Sequence, residues 1–168
     1  SITLLLALHN LRIWYPKKFE IMALTIDPGG DLFDTEELQK LCDSLNVEYV
    51  IEKTNIKEVV FDIRKEKNPC SLCANLRRGA LNGVAEAHGC NKVALGHHQD
   101  DVIETFFLSL FYEGNIHTFA PTTHLSRKNI VTIRPTIYVT EKQVKGFQNK
   151  NPMPIMKKRC PNDGNSKR

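Results

Sequence analysis

Residues 92–107 read KVALGHHQDDVIETFF. The first five, Lys92–Gly96, form a short apolar run closed by a glycine, the signature of a buried strand. From Gln99 to Tyr112, Val102, Ile103, Phe106, Phe107 and Leu110 recur at helical spacing, so a helix with a broad apolar face is predicted there. A buried strand that runs straight into a helix is the repeating unit of a parallel sheet. Gly96, His97, His98, Asp100 and Asp101 fall at the junction. Ligands in such sheets bind beyond the C-terminal ends of the strands.

Outward from this junction the same alternation recurs. Ser1–Ile13 reads as a helix closed by Pro16. Phe19–Asp27 reads as a buried strand ended by Pro28, Gly29 and Gly30. Asp34, Thr35, Glu36 and Glu37 open an acidic helix start, as the helix dipole favours, running to about Leu45. Val47–Ile51 is a second strand, and Asn55–Ile63 is ambiguous, with helix preferred. Ala74–His88 is a strong helix stopped by Gly89, Ile130–Ile133 a further strand, and Thr140–Gln148 a last helix capped by Thr140. The fold class that follows is α/β, a Rossmann-like, doubly wound, mostly parallel sheet with helices on both faces. The loops after Asp27, Gly96 and Ile133 are where chemistry is expected. One strand is missing from this pattern: the chain opens on a helix where a doubly wound fold usually opens on a central strand. Either the fold is rearranged, or an N-terminal piece precedes Ser1.

At 168 residues, one domain with its own core is expected over 1–168, with a basic C-terminal segment at about 141–168. No apolar run nears the roughly 18 residues of a membrane helix. The longest, Ile2–Leu8, is followed by His9 and Asn10, and no signal-peptide pattern is visible. A cytoplasmic, reducing location without membrane attachment is the resulting expectation. The net charge of +4 is unevenly distributed. Residues 1–124 carry 12 Lys and Arg against 17 Asp and Glu, whereas residues 125–168 carry 11 against 2. A basic tail on an acidic body suits a polyanionic partner such as a nucleic acid; the bland alternative is a solvated tail.

Of the five cysteines, Cys70 and Cys73 stand in NPCSLCANLRRGAL (residues 68–81). An odd count without a secretory signal disfavours a disulfide framework. Zinc, an iron–sulfur cluster and a redox pair all remain open. A helix N-terminus and the cations Arg77 and Arg78 are expected to lower the thiolate pKa values. Cys160, in the basic tail, is the natural third ligand. Cys42 and Cys90 read as structural. A closed zinc site wants four ligands, while three thiolates leave one iron of a cluster open. Arg77 and Arg78 either face water or contact ATP phosphates or RNA. At the other cluster, Asp100 and Asp101 suit Mg²⁺, and His97 suits phosphate contact or proton transfer. A purely structural use of Asp101, capping the helix through Asp101-Val-Ile-Glu104, competes with this.

LGHHQDD after a short strand, PCSLCANLRRGAL ahead of it and a late CPNDGNSKR, in this order, resemble the PP-loop ATPase superfamily. Within it, the chain is most similar to the tRNA 2-thiocytidine synthetase (TtcA-like) group of tRNA thiolases. The resemblance implies an ATP-dependent enzyme that adenylates a tRNA base carbonyl and replaces its oxygen with sulfur. It implies ATP and Mg²⁺ at a site including Ser1, Asp27, Gly96, His97 and Arg78, with His97, Asp100 and Asp101 in catalytic roles. It also implies a [4Fe–4S] cluster on Cys70, Cys73 and Cys160, with zinc as the alternative metal. The implied partners are tRNA, a sulfur donor such as a cysteine desulfurase, and a second copy in a homodimer. The family's pyrophosphate loop reads SGGxDS; Ser1 fits its last residue, and the remainder is expected ahead of Ser1. Other members of the superfamily ligate lysine to a tRNA cytidine or amidate small molecules, chemistries that need no cluster. A zinc-stabilised RNA-binding module without catalysis is the alternative outside enzymes.

Overall fold

The computed structural model describes residues 1–29, 35–65, 68–126, 129–154, 160 and 162. In chain order the regular elements are α1 (Ile2–Trp14), β1 (Met22–Asp27), α2 (Glu36–Ser44), β2 (Glu48–Lys53), α3 (Pro69–Ala87) and β3 (Lys92–Ala94), followed by α4 (Gln99–Leu108), β4 (Thr122–Leu125), β5 (Ile130–Ile133) and α5 (Glu141–Lys150). Single π-helical segments occupy Glu58–Arg64 and Ser109–Glu113. Asp34, Gly30, Pro161, Ser166, Lys167 and Arg168 lie outside the described residues, as do residues 155–159 and 163–165 of the basic tail. The chain divides into two compact units, Ser1–Lys18 with Gly89–Met153, and Phe19–His88 with the C-terminal segment.

In the second unit β1 and β2 pair in parallel, Met22 opposite Glu48 through Asp27 opposite Lys53. Ile26, Ile56 and Val60 form the buried centre of this unit, and Leu24, Phe61, Leu72, Cys73, Leu76, Ala80 and Leu81 pack against it. Leu72, Cys73, Leu76 and Ala80 follow one another at helical spacing, so α3 turns one stripe to the core and leaves Arg77 and Arg78 exposed. Gly29 ends β1 with φ +93°, and a β-carbon there would stand 2.8 Å from the Thr54 carbonyl oxygen. Only glycine accommodates both conditions.

In the first unit β5 is central: it pairs in parallel with β3 and antiparallel with β4. The expected α/β fold with parallel strands and intervening helices is observed, but β4 was not foreseen. Its sequence, Thr122-Thr-His-Leu125, is polar and largely exposed, as suits an edge strand held by backbone pairing rather than by burial. The expected apolar face of α4 is only partly covered, with Ile103, Phe107 and Leu110 exposed. Helix α3 starts earlier than expected, at Pro69, because proline is well tolerated at the first helical position. Both cysteines of the CxxC therefore lie inside its first turns. No helix among the described residues is long and apolar enough to cross a membrane.

Candidate functional site

The loops that follow the parallel strands β3 and β5 are laced together. Leu95 N–H donates to the Ile133 carbonyl at 2.9 Å, and Gln99 N–H to that of Val139 at 2.9 Å. Thr136 Oγ1 donates to the His97 carbonyl at 2.9 Å. This places Gly96, His97 and His98 at the C-terminal edge of the strands, as the sequence predicted. Ser1 lies against Gly96: a β-carbon on Gly96 would stand 3.2 Å from Ser1 Cα. Ser1 is the N-cap of α1, so the first-turn amides of α1, which have no acceptor within the helix, are presented beside the Gly96 loop.

The His97 ring packs on Phe119 at a centroid distance of 4.7 Å. Arg134, the residue after β5, places its guanidinium 4.9 Å from the other partner of that contact, the Phe119 ring centroid. Arg134 Nη1 also donates to the Ala120 carbonyl at 2.6 Å and to Thr123 Oγ1 at 3.2 Å. The loop before β4 is thereby fixed under His97. Phe119, Arg134 and Thr136 were absent from the sequence reading. The signal available was Arg134 at the end of a predicted strand, a position already marked as a binding edge.

Both aspartates have structural duties. Asp101 Oδ2 accepts from His98 N–H at 2.9 Å, and Asp101 N–H donates to His98 Nδ1 at 3.4 Å. The capping box thus runs from His98 to Asp101, not from Asp101 to Glu104. The physical reason is the extended conformation of His98, φ −116° and ψ 178°, which starts the helix at Gln99 and puts Asp101 at its third position. Asp100 Oδ2 accepts from Glu141 N–H at 2.7 Å, joining the starts of α4 and α5. Beside it, Lys142, Lys145, Gly146 and Asn149 line a shallow open groove along α5.

Asp27 and Arg78 belong to the other unit. Asp27 Oδ1 accepts from Gly29 N–H at 2.9 Å, so its carboxylate shapes the turn after β1. Arg78 is exposed on α3.

That unit also carries the cysteines. All five are free thiols; Cys42 is buried, Cys70 and Cys160 are exposed, and Cys73 and Cys90 are partly buried. Cys160 and Cys70 are both within electrostatic reach of Cys73. Asn162 Nδ2 donates to Cys70 Sγ at 2.9 Å, which seats Asn162 on the first turn of α3. Three thiols separated by up to 90 residues in sequence thus belong to one unit, with Cys160 and Cys70 near enough to Cys73 to influence its charge. The expected lowering of the Cys73 pKa is overturned. Burial against the Ile26–Val60 core pushes this thiol up, and the charges of Cys160 and Cys70 push the same way, against the opposing pull of Arg77. Among the described residues, no three Cys, His, Asp or Glu side chains stand together as the shell of a single metal ion. The donor set, three sulfurs, suits an iron–sulfur cluster with one iron left open.

The fold matches that of a U34-tRNA thiolase, NcsA from Methanococcus maripaludis with its [4Fe-4S] cluster, at a TM-score of 0.76 and 23% identity, covering 96% of this chain and 55% of that one. Two curated relatives are each called tRNA-cytidine(32) 2-sulfurtransferase. The protein of Citrifermentans bemidjiense is 35% identical over 96% of this chain and 64% of its own length. That of Alkalilimnicola ehrlichii is 39% identical over 93% of this chain and 50% of its own length. The chain thus spans one half to two thirds of the length of these relatives. The family model described as the PP-loop domain matches residues 1–158, and the chain belongs to the PP-loop domain family.

Proposed function

We infer that this chain is the PP-loop ATPase domain of an ATP-dependent tRNA sulfurtransferase. The observation that carries this reading is that Cys160 and Cys70 both lie within electrostatic reach of Cys73, with Asn162, two residues past Cys160, 2.9 Å from Cys70. Lysine ligation and amidation have no use for such a thiol set. The relatives named as tRNA sulfurtransferases and the thiolase fold support the same reaction class.

The residues fit the parts the reaction needs. The first-turn amides of α1 beside Gly96 form an anion cradle for the phosphates of ATP. His97, held between Phe119 and the Thr136 hydroxyl, is the contact or proton carrier at that edge. Asp100 and Asp101 supply the oxygen ligands suited to Mg²⁺, which would neutralise phosphate charge. Attack of the base oxygen on the α-phosphorus expels pyrophosphate and converts that oxygen into part of AMP, a good leaving group. A sulfur nucleophile then displaces AMP. Cys70, Cys73 and Cys160 would hold a [4Fe–4S] cluster, which would supply an iron without a protein ligand as a site for sulfur. The base must be presented unpaired or flipped, since its reacting atom is inaccessible in a stacked helix. The basic segment from residue 141 onward, including Lys142 and Lys145, supplies phosphate contacts to tRNA. A cysteine desulfurase as sulfur source and a homodimeric, cytoplasmic enzyme complete the reading.

The test is incubation of the anaerobically prepared protein with ATP, sulfide, free lysine and unmodified tRNA, followed by mass spectrometry of the digested nucleosides. An ATP-dependent thiolated nucleoside is expected. ATP turnover that instead yields lysine-modified cytidine contradicts the reading.

A further inference from the structure

Asn162 is two residues beyond Cys160, inside the CPNDGNSKR stretch, and the resemblance gives it no role. Its amide nitrogen lies 2.9 Å from Cys70 Sγ, a donor aimed at a sulfur acceptor. Cys70 is itself exposed, so without Asn162 that sulfur would be hydrated by exchanging water. Asn162 is half-buried, so its amide replaces water by a fixed dipole. Hydrogen bonds to ligand sulfurs are among the factors that set the reduction potential of an iron–sulfur cluster, because they stabilise the more negative oxidation state more.

We propose that Asn162 is a tuning residue for the metal centre: its N–H···S bond to Cys70 raises the reduction potential of the cluster. The inference rests on the function proposed above, since it needs a cluster on these thiols. It assigns Asn162 no contact with substrate. Its effect passes through Cys70 alone.

The test uses the whole protein, reconstituted anaerobically with ferrous iron and sulfide, and reads the midpoint potential by spectroelectrochemical titration. Asn162→Ala removes the donor. Asn162→Asp is nearly isosteric, so it preserves the packing of the segment while replacing the donor with a negative charge. Both midpoints should fall, Asn162→Asp further than Asn162→Ala. A tenfold change in the one-electron equilibrium is the expected size for Asn162→Ala, about 59 mV. Asn151→Ala, at the C-cap of α5, serves as the control and leaves the midpoint where it was. If Asn162→Ala binds no iron, Asn162→Asp alone decides. Clusters that assemble with unshifted midpoints overturn the tuning role and leave the thiolase reading intact. Failure of the unsubstituted protein to form any cluster overturns that reading, and the tuning role with it.

Discussion

The Glu141 amide donates to the Asp100 carboxylate at 2.7 Å, so the residue that opens α5 is held by a residue in the first turn of α4. The aspartate therefore has two separable tasks, one structural and one proposed for the metal ion. Asp100→Asn keeps an oxygen acceptor for Glu141 and removes the charge. Asp100→Ala removes both. The side chain is 45% exposed, so the hydrogen bond contributes about 1 kcal/mol rather than the larger value of a buried charged pair. Thermal unfolding should show Asp100→Ala lowered by a few degrees and Asp100→Asn close to the unsubstituted protein. Both should lose thiolation at least tenfold. Equal loss of stability in the two variants would place the role of Asp100 in its charge rather than in the bond.

Gly96 and Ser1 approach so closely that a β-carbon at position 96 would meet Ser1 Cα at 3.2 Å. The contact is backbone on backbone, so a flexible side chain cannot relieve it. Gly96→Ala should push the start of α1 away from the loop and weaken ATP binding about tenfold by calorimetry, with the circular dichroism spectrum unchanged. Gly29→Ala should behave differently. There φ is +93° and the clash is 2.8 Å, so the loss is in stability, on the order of 2 kcal/mol.

His97 touches Phe119, which in turn carries Arg134. Arg134→Ala removes the cation over the ring and its hydrogen bonds to Ala120 in the preceding loop and to Thr123 in β4, a loss of about 1–2 kcal/mol in local order. The expected result is a fall in kcat with a smaller change in KM for ATP. Arg134→Lys recovers charge but not the forked donor pattern, and recovery should be partial. A pure rise in KM with kcat intact would show that Arg134 serves ground-state binding instead.

Much of this arrangement was legible in the sequence. The strand–helix junction at 92–107 fixed the ligand-binding edge, because strand, glycine and polar cluster are local features. Cys160 was recognisable as a third thiol through its motif. What was not legible are contacts between positions far apart whose residue types carry no signal. Thr136 bonds to His97 and Asn162 to Cys70 across 39 and 92 residues. The capping register at His98 was missed because histidine is an unusual N-cap, whereas Asp101 is a preferred type. The Cys73 pKa was misjudged because dipole and cations are visible in sequence, but burial of α3 on the Ile26–Val60 core is not.

Cys42 is fully buried, and burial raises its thiol pKa above the ordinary value of 9.0, with Asp43 adding to the effect. The folded state therefore holds its proton more tightly than the unfolded state does. The stability this contributes is fully present below the ordinary thiol pKa and is lost as pH rises toward the raised one. Unfolding midpoints should fall as the pH rises above about 9. Cys42→Ala should cost about 1 kcal/mol at neutral pH through the lost sulfur contacts, yet show a flatter alkaline limb. An unchanged alkaline limb in Cys42→Ala would assign the loss to other groups, of which Tyr49, also raised by burial, is one.

The central claim is that Cys70, Cys73 and Cys160 hold an iron–sulfur cluster used in tRNA thiolation. Its most direct test is the iron, acid-labile sulfide and zinc content of anaerobically purified protein, alongside Cys160→Ala. About four iron and four sulfide per chain are expected, with both lost in Cys160→Ala and ATP binding nearly intact. Stoichiometric zinc without iron would contradict the claim.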